Sequence, residues 1–295
     1  MIHTVEERSI TLLGNRLYLR EAGRGNPVLF LHGFPTHGAI WTHLLSPVAE
    51  AGYHAIAPDL LGYGKSDHPA GTPLDLREQA DLLAHLMDEL ALAPAHVVGH
   101  DIGGGVAQHL AVAHPERVRS LFLVNPASFD AWPHTDWGRF KGANVEAATA
   151  QPQIVADALR RLLPQGGSGD WRLPQEMVDL FVAPWSDAHG AAAFIRAAAQ
   201  LDSIQTAGLA DHLRDIGMPT HVLWGRLDPW QGVEHARMWE EHYPGAVIDV
   251  VDAGHWVPLQ ASDLLLERCM RWFRAQGPRR VTAMDRVSTH KTDTP

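Results

Sequence analysis

The stretch Val97-Val98-Gly99-His100-Asp101-Ile102-Gly103-Gly104 decides the fold of this 295-residue chain. A short apolar run leads into it, and the segment Val106–His114 after it has the composition of a helix. Gly99 and Gly103 stand two residues on either side of Asp101, and a sharp strand-to-helix turn brings its flanking backbones so close that glycine is required there. We therefore predict a strand–turn–helix unit, called the elbow, that exposes the Asp101 side chain at the mouth of a sheet.

A simpler interpretation of Asp101 is that its carboxylate only caps the following helix, since Asp is common at helix N-caps. Capping explains the Asp but not the paired glycines, Gly99 and Gly103. In the elbow, the amino end of the helix lies behind the turn, and its unpaired N–H groups stabilise a negative charge. We therefore expect Asp101 to be an ionised carboxylate in a strained turn.

The composition is that of a globular protein with a large core. Apolar residues make up 45% of the chain and charged residues 20%, which is enough for one large domain with an inserted segment. No run of about 18 apolar residues is present, and the first residues lack the features of a signal peptide, so we expect a cytoplasmic protein. The single cysteine, Cys269, excludes an internal disulfide and fits a reducing compartment.

Charge and histidine spacing indicate which partners to expect. The chain has 34 acidic residues against 24 Lys and Arg, and the resulting net charge of −10 argues against binding to nucleic acid or to an anionic membrane. The 19 histidines are scattered, without a His-Glu-x-x-His pattern, so we expect no metal and no other cofactor. The expected partners are a small-molecule substrate and water. The sequence leaves open whether the chain forms a homodimer.

Strand and helix patterns alternate along most of the chain. Two extended runs joined by Gly14-Asn15 predict a hairpin near the start. Strands alternating with helices favour a mostly parallel, doubly wound sheet that is covered on both faces. Further strands are predicted at 27–31, 54–58, 95–98, 120–125, 220–224 and 246–251, and helices at 40–51, 76–90, 106–114, 233–243 and 263–274.

The alternation stops after residue 125. Residues 130–211 are rich in alanine, tryptophan and helix formers without a clear strand, which predicts an inserted helical cap. The segments 1–129 and 212–275 then form the main α/β domain. The polar, unpatterned stretch 276–295 is expected to be a mobile tail.

Four motifs carry a resemblance to a known family. Besides the elbow, they are His32-Gly33-Phe34-Pro35, the run Asp59–Asp67 and Gly254-His255-Trp256. Together they resemble the α/β-hydrolase superfamily over nearly the whole chain, and this resemblance implies an α/β-hydrolase fold with a helical cap. Aspartate in the elbow is similar to the branch that contains haloalkane dehalogenases, haloacetate dehalogenases and epoxide hydrolases.

The resemblance implies a nucleophile, an acid and a histidine in that chain order, which here are Asp101, Asp228 and His255. His255 follows a predicted strand, in a loop that would direct its imidazole toward the elbow. Asp228 follows another strand and would hold the imidazole in its useful tautomer, although Asp before proline is also common in turns. Some relatives place the acid after an earlier strand, where this chain has Asn125.

The expected chemistry follows from a carboxylate nucleophile. Asp101 would attack a saturated carbon that bears a halide or an epoxide oxygen, and His255 would activate water to hydrolyse the resulting alkyl ester. Backbone N–H groups of Phe34 and Ile102 are the expected donors to the oxyanion or halide. An ester or amide substrate would give an anhydride, which disfavours lipase or peptidase activity. We therefore expect a hydrolase of neutral, hydrophobic small molecules.

The resemblance leaves the subclass open. Epoxide hydrolases usually carry two cap tyrosines, whereas all four tyrosines of this chain lie outside residues 130–211. Haloalkane dehalogenases usually have tryptophan after the nucleophile and haloacetate dehalogenases arginine, but this chain has Ile102. Indole and imidazole N–H groups in the cap favour a dehalogenase, with an epoxide hydrolase as the alternative. Ligand binding or a non-hydrolytic reaction on the same fold is the second alternative.

Aromatic residues around the predicted site are the candidates for substrate contact. Their indole and imidazole N–H groups can donate to a leaving group, although each tryptophan also has a plain packing role. The candidates are His32, Trp132, His134, Trp137, Trp185 and Trp256.

Overall fold

The structure is a computed structural model that describes residues 3–71, 74–92, 94–130 and 132–276. Its centre is one eight-stranded sheet with the strand order β1-β2-β4-β3-β5-β6-β7-β8. The first three strands in this order pair antiparallel, and all other neighbours are parallel. The strands are β1 (Glu6–Leu12), β2 (Asn15–Gly23), β3 (Asn26–Leu31), β4 (Tyr53–Pro58), β5 (Ala95–Asp101), β6 (Val118–Pro126), β7 (Thr220–Gly225) and β8 (Val247–Val251).

The strand order places a crevice beside the elbow. The chain runs from β3 outward to β4 and then returns to place β5 on the other side of β3. In open parallel sheets, ligands bind where the strand order reverses, at the carboxyl ends of the strands. Asp101 ends β5 and Phe34 follows β3, so both lie at this crevice.

The predicted hairpin is present, but its turn lies one residue earlier than predicted. Leu12 pairs with Asn15, so the two turn residues are Leu13 and Gly14 rather than Gly14 and Asn15. Both have positive φ, +49° and +80°, as a two-residue turn between twisted strands requires. The Gly14-Asn15 signal therefore indicated the hairpin correctly and its register wrongly.

Helices enclose the sheet in two layers. Helix α1 packs with α12 over β4 and β6, and α3 packs with α2 and α9 over β5 and β6. The predicted α/β-hydrolase fold, with a mostly parallel sheet between helical layers, is thereby confirmed. The helices are α1 (Thr42–Glu50), α2 (Leu76–Glu89), α3 (Ile102–Ala113), α4 (Thr135–Gly138), α5 (Val145–Ala150), α6 (Pro152–Leu162), α7 (Gln175–Val182), α8 (Ala188–Ala199), α9 (Leu209–Asp215), α10 (Glu234–His242), α11 (Val257–Gln260) and α12 (Ser262–Ala275).

Between β6 and β7 the described residues form helices and no strand. Helices α5 to α8 pack on one another, whereas α9 packs against α3 and α10. We call residues 132–206, which hold α4 to α8, the cap; the predicted limits of 130 and 211 stay a prediction. The predicted tail lies, from residue 277 onward, outside the described residues. In the part of the chain that is described, no helix is long and apolar enough to cross a membrane.

Candidate active site

The elbow has the strained geometry that its glycines predict. Strand β5 ends at Asp101 and α3 begins at Ile102, so strand turns into helix with no residue between them. Asp101 has φ +53° and ψ −124°, which L residues rarely adopt. A Cβ on Gly99 would lie 2.4 Å from the carbonyl oxygen of Gly103, and one on Gly103 would lie 2.4 Å from that of His32. Only glycine therefore fits at either position.

Three donors hold the Asp101 carboxylate. Its Oδ1 accepts the N–H of Phe34 at 2.9 Å, and the N–H of Ile102 also bonds to the carboxylate. Its Oδ2 accepts a hydrogen bond from Nε2 of Gln231. Apart from its bond with the N–H of Ile102, the first residue of α3, the side chain makes no capping hydrogen bond to the helix, so a simple cap does not describe Asp101. The two predicted backbone donors thus meet at the elbow.

His255 and Asp228 form a hydrogen-bonded pair beside the elbow. Nδ1 of His255 lies 2.8 Å from Oδ2 of Asp228. Because a carboxylate only accepts, Nδ1 carries the proton and Nε2 has the free lone pair that a base needs. Oδ1 of Asp228 accepts the backbone N–H groups of Trp230 and Gln231, at 2.8 and 3.0 Å. Asp228 therefore shapes its turn and also orients the imidazole.

Asn125 supports the acid from the neighbouring strand. Its Nδ2 donates to Oδ2 of Asp228, and its Oδ1 accepts the N–H of Gly225 at 3.0 Å. The position at which some relatives carry the acid is thus occupied by an amide that fixes Asp228. The sequence placed Asn125 near the site, but the hydrogen bonds depend on the side-chain geometry.

His100, the elbow residue before Asp101, contacts His255. Its Nε2 lies 3.0 Å from the backbone oxygen of His255, and the two rings are 4.7 Å apart. A carbonyl oxygen only accepts, so Nε2 of His100 carries the proton. Burial, and then the charge of His255, keep the pKa of His100 well below 6.5. His100 therefore remains neutral and adds no positive charge next to the base.

Opposing effects set the pKa values of the base and the carboxylate. Burial lowers the pKa of His255, but the charge and hydrogen bond of Asp228 and the charge of Asp101 outweigh it and raise that pKa above 6.5. Burial raises the pKa of Asp101 from 3.8, against the opposing charge of His255 and the backbone N–H groups. The pKa of His255 therefore depends on the charge of Asp101, and the pKa of Asp101 on the charge of His255.

A small, narrow cavity opens onto these groups. Seven of the predicted site residues line it. Among the residues that the structure describes, no cluster of three or more His, Cys, Asp or Glu side chains is arranged to hold a metal ion. The lining residues are Phe34, Asp101, Ile102, Trp132, Pro133, His134, Trp137, Leu201, Trp230, Gln231 and His255.

Three predicted substrate-binding residues, His32, Trp185 and Trp256, are not among the lining residues, and their contact with substrate stays a prediction. The ring nitrogens of His32 bond to the backbone of Gly33 and Leu60, so its ring joins the loops after β3 and β4. The indole N–H of Trp185 donates to the backbone oxygen of Pro35 at 2.9 Å, and that of Trp256 to the backbone oxygen of Leu163 at 2.8 Å. These two tryptophans join the cap to the main domain.

Sequence reasoning missed Trp230 and Gln231, which follow the acid in the same loop. The Trp230 ring lies 5.0 Å from the rings of both His255 and Trp137. Trp132 also lines the cavity, but its indole N–H donates to Thr206 at 2.8 Å. The indole N–H groups of Trp137 and Trp230 have no acceptor within the described residues. The signal in the sequence that could have identified Trp230 and Gln231 is their position two and three residues after Asp228.

Comparison with known proteins gives one family match. The family model described as alpha/beta hydrolase fold matches residues 26–262, which is more than half of the chain.

Individual relatives match with different coverage. The dihydrolipoyllysine-residue acetyltransferase component of the acetoin cleaving system of Cupriavidus necator is 32% identical over 83% of this chain and 63% of its own length. An epoxide hydrolase of Caballeronia sordidicola is 41% identical over 40% of this chain and 36% of its own. The chain thus spans less than two thirds of either relative. The solved epoxide hydrolase CorEH has a TM-score of 0.80 and 25% identity, covering 92% of this chain and 99% of its own.

Proposed function

The chain belongs to the α/β-hydrolase fold family, and we propose that it hydrolyses a carbon–halide bond of a neutral, hydrophobic small molecule through an alkyl ester on Asp101. One observation carries the proposal. A carboxylate, rather than an alcohol or a thiol, stands in the strained elbow and faces a cavity that also holds the His255 base. Carboxylates displace leaving groups from saturated carbon and give esters that water can hydrolyse.

In the first half-reaction, Oδ2 of Asp101 attacks the carbon, because the Phe34 N–H engages Oδ1. A carbon–oxygen bond forms, and the halide leaves with the electron pair of the carbon–halide bond. The indole N–H groups of Trp137 and Trp230 are available to the departing halide, since both rings line the cavity. Such donors stabilise the charge that develops as the bond breaks.

In the second half-reaction, Nε2 of His255 takes a proton from water, and the water oxygen attacks Cγ of Asp101. The charge that develops on Oδ1 is stabilised by the Phe34 N–H that is already bonded to it. The bond from Cγ to Oδ2 then breaks, and Oδ2 leaves with the product alcohol after taking the proton from His255. The water oxygen stays on Cγ, and its remaining proton leaves to solvent as the Asp101 acid ionises, so the carboxylate is regenerated.

The cavity supports the expected substrate class. Its lining is dominated by aromatic and apolar side chains, and the described lining residues include no lysine or arginine to bind an anionic substrate group. Apolar walls with a few polar groups are typical of sites for neutral small molecules.

An epoxide hydrolase is the second candidate, favoured by the 41% identity to an epoxide hydrolase over 40% of the chain. Ring opening requires a donor to the epoxide oxygen, and the described residues of the cavity lining include no tyrosine. The donors there are the Trp137 and Trp230 indoles and His134. Indole N–H groups hydrogen-bond a halide without giving up a proton, so they suit a dehalogenase better than ring opening.

A single variant tests both candidates. His255→Gln removes the base, so the alkyl ester on Asp101 should accumulate and raise the mass of the intact protein. The variant is incubated separately with 1,2-dibromoethane and styrene oxide, and peptide mapping locates the added group. An adduct from the bromide alone supports the dehalogenase, and one from the epoxide alone supports the epoxide hydrolase.

The control is Asp101→Ala, which should form no adduct and retain the unfolding temperature of the wild type. If a broad panel of halides and epoxides leaves His255→Gln unmodified and the wild type inert, the covalent mechanism is wrong. The remaining interpretation is then a ligand-binding or non-hydrolytic member of the family.

A further inference from the structure

Gln231 is held firmly against the nucleophile. Its backbone N–H donates to Asp228 at 3.0 Å, and its backbone oxygen accepts the indole N–H of Trp224 at 2.9 Å. The side chain is buried, and its Nε2 donates to Oδ2 of Asp101. The amide therefore has a fixed place beside one particular oxygen of the nucleophile.

The two carboxylate oxygens of Asp101 have different surroundings. Oδ1 accepts the backbone N–H of Phe34, whereas Oδ2 accepts the side-chain amide of Gln231. If Oδ2 attacks the substrate, it becomes the bridging oxygen of the alkyl ester. Gln231 then faces the oxygen whose bond to Cγ must break when the ester is hydrolysed.

We propose that Gln231 is a catalytic residue of ester hydrolysis, which donates a hydrogen bond to Oδ2 as this oxygen leaves Cγ. This inference rests on the proposed function. When the tetrahedral intermediate collapses, the electron pair of the Cγ–Oδ2 bond moves to Oδ2 and the carbonyl at Oδ1 re-forms. Oδ2 takes its proton from protonated His255, while Nε2 of Gln231 keeps its own protons and stabilises the charge until that transfer is complete.

The same hydrogen bond has opposite effects on the two half-reactions. In the resting enzyme it stabilises the anionic Oδ2, so it makes this oxygen a weaker nucleophile. In the ester, Oδ2 is nearly neutral and the bond is weak, but it strengthens as charge returns to Oδ2 on leaving. An interaction that is stronger in the transition state than in the ground state accelerates that step. Gln231 should therefore speed hydrolysis and slow alkylation.

The test measures the two steps separately in Gln231→Met, which keeps the side-chain length without the donor. Single-turnover reactions with the substrate that modifies His255→Gln are quenched at intervals, and ester-bearing protein is counted by intact mass. We expect alkylation as fast as in the wild type or faster, and hydrolysis slower by about 10²-fold, as for loss of other charge-stabilising donors. The ester should then accumulate at steady state.

Gln153→Met is the matched control, because Gln153 is exposed on α6, and both of its rates should equal those of the wild type. Alkylation also reports folding, since a variant that forms the ester has an intact site. Equal slowing of both steps would mean that Gln231 only positions Asp101, and unchanged hydrolysis would mean that Gln231 does not assist the departure of Oδ2. Either result overturns the inference about Gln231 and leaves the proposed function standing. If His255→Gln forms no ester with any substrate, the proposed function fails first.

Discussion

If the proposed alkyl ester forms on Asp101, His255 should titrate differently in the free enzyme and in the alkyl-enzyme. In the free enzyme, the charges of Asp228 and Asp101 raise its pKa above 6.5 despite burial. Alkylation makes Asp101 a neutral ester and removes one of these charges, so the pKa of His255 falls in the alkyl-enzyme. Hydrolysis needs the neutral imidazole, and its rate should drop about tenfold per pH unit only below this lower pKa.

The measurement compares the pKa of His255 in the free enzyme with its pKa in the alkyl-enzyme. Nuclear magnetic resonance of the histidine ring gives that of the free enzyme, and the rate of ester decay after a pH jump gives that of the alkyl-enzyme. Asp228→Asn serves as the control, because it removes the partner of Nδ1 and should lower the pKa of the free enzyme as well. A kinetic pKa at or above the free-enzyme value would contradict the coupling between His255 and Asp101.

At the residue scale, spacing predicted the groups that chemistry requires but not those that support them. Asp101, Asp228 and His255 each follow a strand within a recognisable motif, and the fold brings such positions together. Gln231 belongs to no motif, and its role depends on how one loop turns its side chain toward Oδ2. His32 belongs to a motif, but the motif did not indicate that its ring joins the loops after β3 and β4.

The elbow depends on glycine at its two points of closest approach. Gly103→Ala would place Cβ 2.4 Å from a backbone oxygen of β3, which cannot move without distorting the sheet. We expect a loss of about 1–3 kcal/mol in the free energy of unfolding, and loss of the alkylation step because Asp101 moves away from Phe34. Urea denaturation and adduct formation measure the two effects.

Gly142→Ala is the matched control for the elbow glycine. Its Cβ would have no heavy atom within 4 Å, so the variant should have wild-type activity and stability within about 0.5 kcal/mol. Equal stability of Gly103→Ala and Gly142→Ala would show that the elbow tolerates a side chain and that its glycines have another cause.

The elements themselves were predictable wherever burial alone decides them. Strands β3, β5 and β6 are apolar runs that are buried on both faces, so their sequences indicate both strand type and parallel pairing. The cap was predictable only as helical. Its helices are short and interrupted by the 3-10 turns Leu163–Gly166 and Ala183–Trp185, each of which contains a proline that ends the preceding helix. The packing of these helices on one another depends on contacts between distant residues, which local composition does not contain.

At the scale of the whole molecule, the cap and the main domain share the groups that form the site. Trp185 lies in the cap and packs against Tyr63, with ring centroids 5.8 Å apart. Its indole N–H donates to the backbone oxygen of Pro35, next to the residue whose N–H holds Oδ1 of Asp101. This hydrogen bond, together with the packing of Phe34 on the cap residues Trp137 and Phe194, couples the docking of the cap to the position of Phe34.

Trp185→Phe tests this coupling, because it keeps an aromatic ring and removes the donor. The buried oxygen of Pro35 then loses its partner, at a cost of about 1–3 kcal/mol in the free energy of unfolding. Hydrogen exchange should become faster in the cap helices and at Phe34, while the strands of the sheet keep their protection. Trp171→Phe is the matched control, since no described residue accepts the indole N–H of Trp171. Faster hydrogen exchange in the cap without any change at Phe34 would mean that the cap moves independently of the site. The proposed alkylation step would then not depend on how the cap is docked.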